Sequence, residues 1–168
     1  MNLALIQRSG LTAIVATLAA VFGIAQSSAQ SNVPTSDSGS ARSIPSSQLI
    51  QPDALNQLLK SKGTDKTLVL QVGSHVLYAE AHIPGSTYAG PGSQSAGLEL
   101  LRSTTAALSK SQTIVLYCGC CPWDHCPNLG PAFQKLHELG FTNVKALYIA
   151  DNFGTDWVDK GYPVERGR

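Results

Sequence analysis

Charge is what this sequence has least of. Asp, Glu, Lys and Arg together make up 14% of its 168 residues, and the formal net charge is +1, against about a quarter charged in an ordinary soluble domain. A balance so near zero excludes the broad basic footprint of a nucleic-acid binder. It excludes a polybasic membrane-surface protein on the same ground. Internal repeats are absent, and cysteine is missing everywhere outside Cys118–Cys126. What is present in quantity, 43% hydrophobic residues, rules out a disordered or fibrous chain. The length suits one domain, or one domain with a tail.

Arg8 is the only charged side chain in the first 36 residues. The charge-free run from Leu11 to Ala25, LTAIVATLAAVFGIA, follows it and falls short of the roughly 20 residues that span a bilayer. Ser27-Ser28-Ala29 then offers small residues where a signal peptidase cuts. The expectation is a cleaved export signal at 1–29 and a protein that is periplasmic or otherwise extracytoplasmic, with no stable membrane insertion afterwards. Residues 30–48, QSNVPTSDSGSARSIPSSQ, bury too little apolar surface to offset chain entropy and are expected to be a flexible linker. The folded domain is then 49–168, long enough for one core without disulfide staples.

Within that domain, apolar runs alternate with amphipathic stretches. Pro52 opens a helix through Leu59, because proline suits a first helical turn. Thr67 to Val72, Thr113 to Tyr117 and Val144 to Ile149 read as short strands buried on both faces. Leu98, Leu101, Thr105 and Leu108 fall at helical spacing, as do Ala132, Phe133, Leu136 and Leu139, with Gly140 as the stop. A short helix is expected over Thr155 to Lys160. This alternation predicts an α/β fold: a small parallel β-sheet with helices on both faces.

Ligands of such a sheet bind beyond the carboxyl ends of its strands. The strand TIVLY ends there, and Cys118-Gly119-Cys120-Cys121-Pro122-Trp123-Asp124-His125-Cys126-Pro127-Asn128 follows. A helix comes next, so its amide end faces the loop and favours a thiolate. A reactive sulfur site is expected, with Cys118 carrying the most populated thiolate and Cys120, Cys121 and Cys126 as accessory thiols.

Four motifs in order resemble the rhodanese family of sulfurtransferases. Tyr78-Ala79-Glu80-Ala81 before His82-Ile83-Pro84-Gly85-Ser86 is similar to that family's "EYxxGHIPGA". Val115-Leu116-Tyr117-Cys118 is similar to the strand ending in its nucleophile. Leu139-Gly140-Phe141-Thr142-Asn143-Val144 resembles "LGFxNV", and Trp157 with Lys160-Gly161-Tyr162-Pro163-Val164 resembles "WxxxGYPV". The resemblance spans most of residues 49 to 166. It implies a single-domain rhodanese fold and sulfane-sulfur transfer through a persulfide on Cys118, from a small-molecule or protein donor to a thiol acceptor. It implies structural roles for His82, Pro84 and Gly85, while position in the cysteine segment makes Gly119, Trp123, His125 and Asn128 candidates for the loop or pocket, Trp123 either lining the pocket or capping the loop.

Two departures stand out. Gln71-Val72-Gly73 replaces the family's frequent Asp-Val-Arg, and the cysteine loop is longer than the usual pattern. No Lys or Arg occurs from Cys118 to Pro131, so thiosulfate is expected to be a poor donor. Other readings of the same thiols are a disulfide staple, with Cys118 or Cys120 bridged to Cys126, a thiol-disulfide redox module, a catalytically inactive binding domain, and a soft-metal site for zinc or copper(I). No resident cofactor is expected. As an unstrained surface loop, the segment should tolerate serine at all four cysteines within about 0.5 kcal/mol.

Overall fold

The computed structural model describes residues 40–61 and 67–167. The expected export signal and the first part of the expected linker lie outside the described residues. The strands are β1 (Leu49–Ile50), β2 (Leu68–Gln71), β3 (Thr87–Tyr88), β4 (Ile114–Tyr117) and β5 (Val144–Leu147). They form one sheet in the order β1-β5-β4-β2-β3, with every pairing parallel. Between them run α1 (Pro52–Lys60), α2 (His75–Glu80), α3 (Ser95–Thr105) and α4 (Leu129–Glu138). The short helix expected near Thr155 is a π-helical turn over Gly154–Val158.

All four residues of the central strand β4 are buried. Its side chains alternate between two cores, as the pleat requires. Ile114 and Leu116 join Leu101, Leu129, Leu136 and Phe141 under α3 and α4. Val115 and Tyr117 join Leu55, Ile83, Phe153 and Trp157 on the opposite face. The expected two-sided arrangement of helices follows from this division. Among the described residues, no helix is long and apolar enough to cross a membrane.

The structure departs from the sequence reading at the end of the linker. Ser40 to Gln48 is packed, with two 3₁₀ turns at Ala41–Ser43 and Ser46–Gln48. Ala41 is fully buried and Ile44 nearly so, both in the core under α3 and α4. Two small apolar anchors among serines are enough to seat the segment, and Ser40 caps the first turn through the Arg42 N–H. Arg42 also pairs with Asp124 of the cysteine loop at 3.1 Å, an exposed contact worth about 0–1 kcal/mol.

Candidate active site

Two parallel neighbours end flush and place the site. β2 and β4 run in register from Leu68 opposite Ile114 to Gln71 opposite Tyr117, so the residues after both strands meet at the carboxyl edge. Gln71 is buried; its Nε2 donates to the Cys118 carbonyl at 3.1 Å and its Oε1 accepts from the Gly73 N–H at 3.1 Å. Gly73 leaves the space that the sulfur fills: a Cβ there would lie 2.9 Å from Cys118 Sγ. Gly119, at φ +78°, turns the chain sharply, and a Cβ on it would meet Phe153 at 2.8 Å. Gln71 and Gly73 are thus positioning residues for Cys118. The sequence marked them only as departures from a family pattern.

The four thiols are unbridged and gathered. Cys118 Sγ lies 3.1 Å from Cys120 Sγ, which lies 3.3 Å from Cys121 Sγ. These three sulfurs fall within 4.8 Å of one another and offer a soft donor set. Cys118 and Cys126 are buried core members at 2% and 3% exposure, whereas Cys120 is exposed. The expectation of a wholly surface loop with freely replaceable cysteines is therefore corrected: half of its thiols pack in the core.

Asn128 joins the loop to its surroundings. Its Nδ2 donates to Cys118 Sγ at 3.2 Å, and its Oδ1 accepts from the N–H and hydroxyl of Ser93 at 3.0 and 2.8 Å. Ser93 carried no sequence signal, since it approaches only when the loop after β3 folds over α4. Of the other loop residues predicted for the pocket, Gly119 borders the thiols, whereas Trp123 and His125 lie elsewhere. Trp123 packs in the core, its ring 5.3 Å from Tyr148. Asp124 points outward to Arg42. His125 is exposed on the 3₁₀ turn Trp123–His125, and its side chain makes no hydrogen bond to a sulfur. The turn is closed by hydrogen bonds from the His125 N–H to the Pro122 carbonyl and from the Cys126 N–H to the Trp123 carbonyl.

Electrostatics redistributes the protons among the sulfurs. Hydrogen bonds toward Cys120 and Cys126, with burial added, hold the Cys118 thiol well above the usual range. Its S–H in turn lowers Cys120 to about 6. Cys126 is lowered to about 7, first by Cys118 and then by the backbone N–H groups of Asn128 and Leu129 at the start of α4. Burial pushes Cys121 up to about 12. The expectation placed the most populated thiolate on Cys118, whereas these hydrogen bonds favour the charge on Cys120 and Cys126. The α4 amides reach Cys126, because that residue is next to the helix start and Cys118 lies at the strand end.

His82, Pro84 and Gly85 belong to a separate scaffold. His82 is buried, stacks on Tyr78 at 4.0 Å between ring centres and contacts the Tyr78 carbonyl through Nδ1 at 2.8 Å. It also exchanges backbone hydrogen bonds with Glu165, while Gly85 at φ +71° donates its N–H to the Glu165 carboxylate. Pro84 precedes that turn and shares a shallow cavity with Trp157 and Pro163. These contacts fasten the C-terminal segment to the sheet and involve no sulfur.

A cavity of about 340 Å³ opens beside the thiols, lined by Cys118, Gly119 and Cys120 and by Leu77, Phe153 and Val158. Gln71, Asn152 and Glu80 supply its polar edge, and no Lys or Arg lines it among the described residues. Trp123, His125 and Asn128 do not line it.

The profile of the family described as "Rhodanese-like domain" matches residues 51–148. Among solved structures, the BH2092 protein from Bacillus halodurans is 29% identical, with 71% of this chain and 77% of that one covered and a TM-score of 0.55. The Alr3790 protein from Anabaena sp. is 21% identical over 70% of this chain and 92% of its own, also at a TM-score of 0.55. A thiosulfate sulfurtransferase from Pseudomonas aeruginosa is 22% identical over 76% of this chain and 21% of its own, with a TM-score of 0.53. The last two are likenesses of fold alone. No curated protein matches the chain.

Proposed function

The chain belongs to the rhodanese-like domain family, and from that premise we propose that it is a sulfurtransferase carrying sulfane sulfur as a persulfide on Cys118. The observation that carries this reading is the seat of Cys118. It ends the central strand at the carboxyl edge, borders the cavity, and receives the Asn128 N–H on its sulfur at 3.2 Å. A preformed donor on a sulfur that becomes anionic is the kind of group that stabilises a transferring charge.

The proton inventory supplies the first step. Cys118 rests as a thiol with Cys120 and Cys126 as its neighbours, and both of these are lowered by it. Cys126, lowered to about 7 and so available as thiolate, accepts that proton while Cys118 Sγ bonds to the sulfane sulfur of the donor. The bond from that sulfur to the rest of the donor breaks, and its electron pair leaves with the donor fragment. An acceptor thiol then takes the outer sulfur in the reverse sense. The scheme uses no resident cofactor.

The cavity narrows the donor class. With Glu80 on its edge, no lining cation and apolar walls, it disfavours a small dianion such as thiosulfate. It suits a donor with an apolar body and less charge, or a persulfide presented by another protein. The reaction belongs outside the cytoplasm in this reading, on the strength of the charge-free run from Leu11 to Ala25. Mature protein from the native source should begin near Gln30, and N-terminal sequencing checks it.

The activity test is a single turnover of reduced protein with benzenethiosulfonate under argon. One equivalent of benzenesulfinate should be released per chain. Cys118→Ser should abolish the release, and Cys121→Ser should retain it. Full release from Cys118→Ser overturns the assignment, and no release from the wild type rejects sulfur transfer.

A further inference from the structure

The loop holds a second thiol in van der Waals contact with the first, and the transfer reaction leaves it unused. Cys120 Sγ lies 3.1 Å from Cys118 Sγ. A disulfide would need the two atoms to close by about 1 Å. Gly119 between them, at φ +78°, forms the turn that brings alternate residues of the loop to the same side. Cys120 is exposed, so any bond it forms is open to an external reductant. Cys126 also neighbours Cys118, but it is 3% exposed and held by the first amides of α4. Of these two neighbours, Cys120 is the one that is exposed.

We propose that Cys120 is a resolving cysteine that attacks the Cys118 persulfide and expels its outer sulfur as hydrosulfide. This inference rests on the Cys118 persulfide of the preceding section and names what becomes of it. Cys120 thiolate Sγ forms a bond to Cys118 Sγ. The bond between Cys118 Sγ and the outer sulfur breaks, and its electron pair departs with that sulfur, which leaves as HS⁻. The sulfane sulfur gains two electrons, and the two cysteine sulfurs lose them together in forming the Cys118–Cys120 disulfide. No other oxidant enters. An external dithiol returns the pair to thiols for the next cycle, with its own oxidation to a disulfide closing the balance.

Proximity decides the competition with an outside acceptor. A neighbouring thiol already in contact has an effective concentration far above that of a dissolved thiol. The chain is therefore a reductase of sulfane sulfur, with sulfide as product and a dithiol as electron source. Transfer to a free monothiol is the slower branch.

The experiment follows the same benzenethiosulfonate turnover, now with sulfide assay and intact-mass measurement and no added thiol. Wild type should release one sulfide per sulfinate and end two hydrogens lighter, with peptide mapping placing the link between Cys118 and Cys120. Cys120→Ser should release sulfinate, retain one extra sulfur atom on Cys118, and liberate sulfide at least tenfold more slowly until a monothiol is added. Persistent extra sulfur on wild type overturns the resolving role while leaving sulfur transfer standing. So does sulfide release from Cys120→Ser at the wild-type rate, a Cys118–Cys126 link, or movement of the sulfur onto Cys120 without disulfide formation. Loss of sulfinate release in Cys120→Ser alone shows that Cys120 takes the donor first and overturns the resolving order. Absence of sulfinate release from the wild type removes the persulfide reading and this inference with it.

Discussion

The two faces of the sheet are packed with different chemistry. On one, Leu55, Val69, Ile83, Val115, Phe153 and Trp157 make an aromatic and aliphatic core with no sulfur among its buried members. On the other, Cys118, Cys126 and Trp123 are inserted among Leu101, Leu129, Leu136 and Phe141. The same central strand feeds both, since successive side chains point to opposite faces. One extra residue past β4 is what puts Cys118 on the α3/α4 side. The difference teaches that one face buries reactive thiols inside its core and the other buries none, so substitutions on each face should fail in different ways.

The largest effect expected is on stability, from the sulfur-free face. Trp157 is 1% exposed, its Nε1 donates to the Pro163 carbonyl at 2.8 Å, and its ring lies 5.0 Å from that of Tyr162. Trp157→Ala should cost about 3–5 kcal/mol, the usual range for emptying a buried tryptophan site. Urea denaturation measures it. The comparison sharpens if the fraction still folded releases sulfinate at the wild-type rate. It breaks if the remaining folded protein is inactive.

Gly73 tests the other face. A methyl group there would meet Cys118 Sγ at 2.9 Å and the Cys118 carbonyl at 3.0 Å. Gly73→Ala should cost about 1–3 kcal/mol by overpacking. Sinfinate release should fall in addition, because the sulfur that moves is the one held by Asn128. Equal activity per folded molecule would show that Cys118 placement is not what this glycine protects.

How far the residues foretold this arrangement depends on segment length. β2, β4 and β5 were legible as continuous apolar runs. β1 and β3 were not, because two residues, Leu49–Ile50 and Thr87–Tyr88, are too few to show a period. The helix His75–Glu80 also carries little pattern, with Val76 and Leu77 exposed. The position of the thiols was legible; their protonation was not. It depends on which sulfur the path of the loop brings to the α4 amides, and that path is set by tertiary contacts such as Ala41 and Ile44 against the same core.

A smaller stability effect separates the thiols of the loop from one another. Cys126 accepts hydrogen bonds from the Asn128 and Leu129 amides, the role of a helix cap. Cys126→Ala should cost about 1–2 kcal/mol, and Cys126→Ser should recover much of that because a hydroxyl can accept the same bonds. Cys120→Ala, at an exposed site, should stay within about 0.5 kcal/mol. Thermal or urea unfolding of the three variants under reducing conditions measures the contrast, and equal costs at 126 and 120 would show that the cap carries no stability.

The smallest perturbation is a change of pH, and it reads the proton distribution directly. Cys120 is lowered to about 6 chiefly by the Cys118 S–H. It is therefore mostly thiol below that pH and mostly thiolate above it. Cys118 is raised by donating the same hydrogen bond and is buried, while Cys121 is raised to about 12 by burial. Brief treatment of reduced protein with limiting iodoacetamide should therefore label Cys120 first, at a rate that climbs through about pH 6 and levels near neutrality. Thiolate is the reactive form, so the order of labelling reports the order of deprotonation weighted by exposure. Cys126, lowered to about 7 but buried, should follow slowly despite its charge. Cys118→Ala removes the donor that depresses Cys120, and the labelling midpoint should move upward. A midpoint unchanged by Cys118→Ala would show that the contact between these two sulfurs does not set their protonation. Labelling of Cys118 first in the wild type would return the thiolate to the strand end and reverse the direction of the first proton transfer.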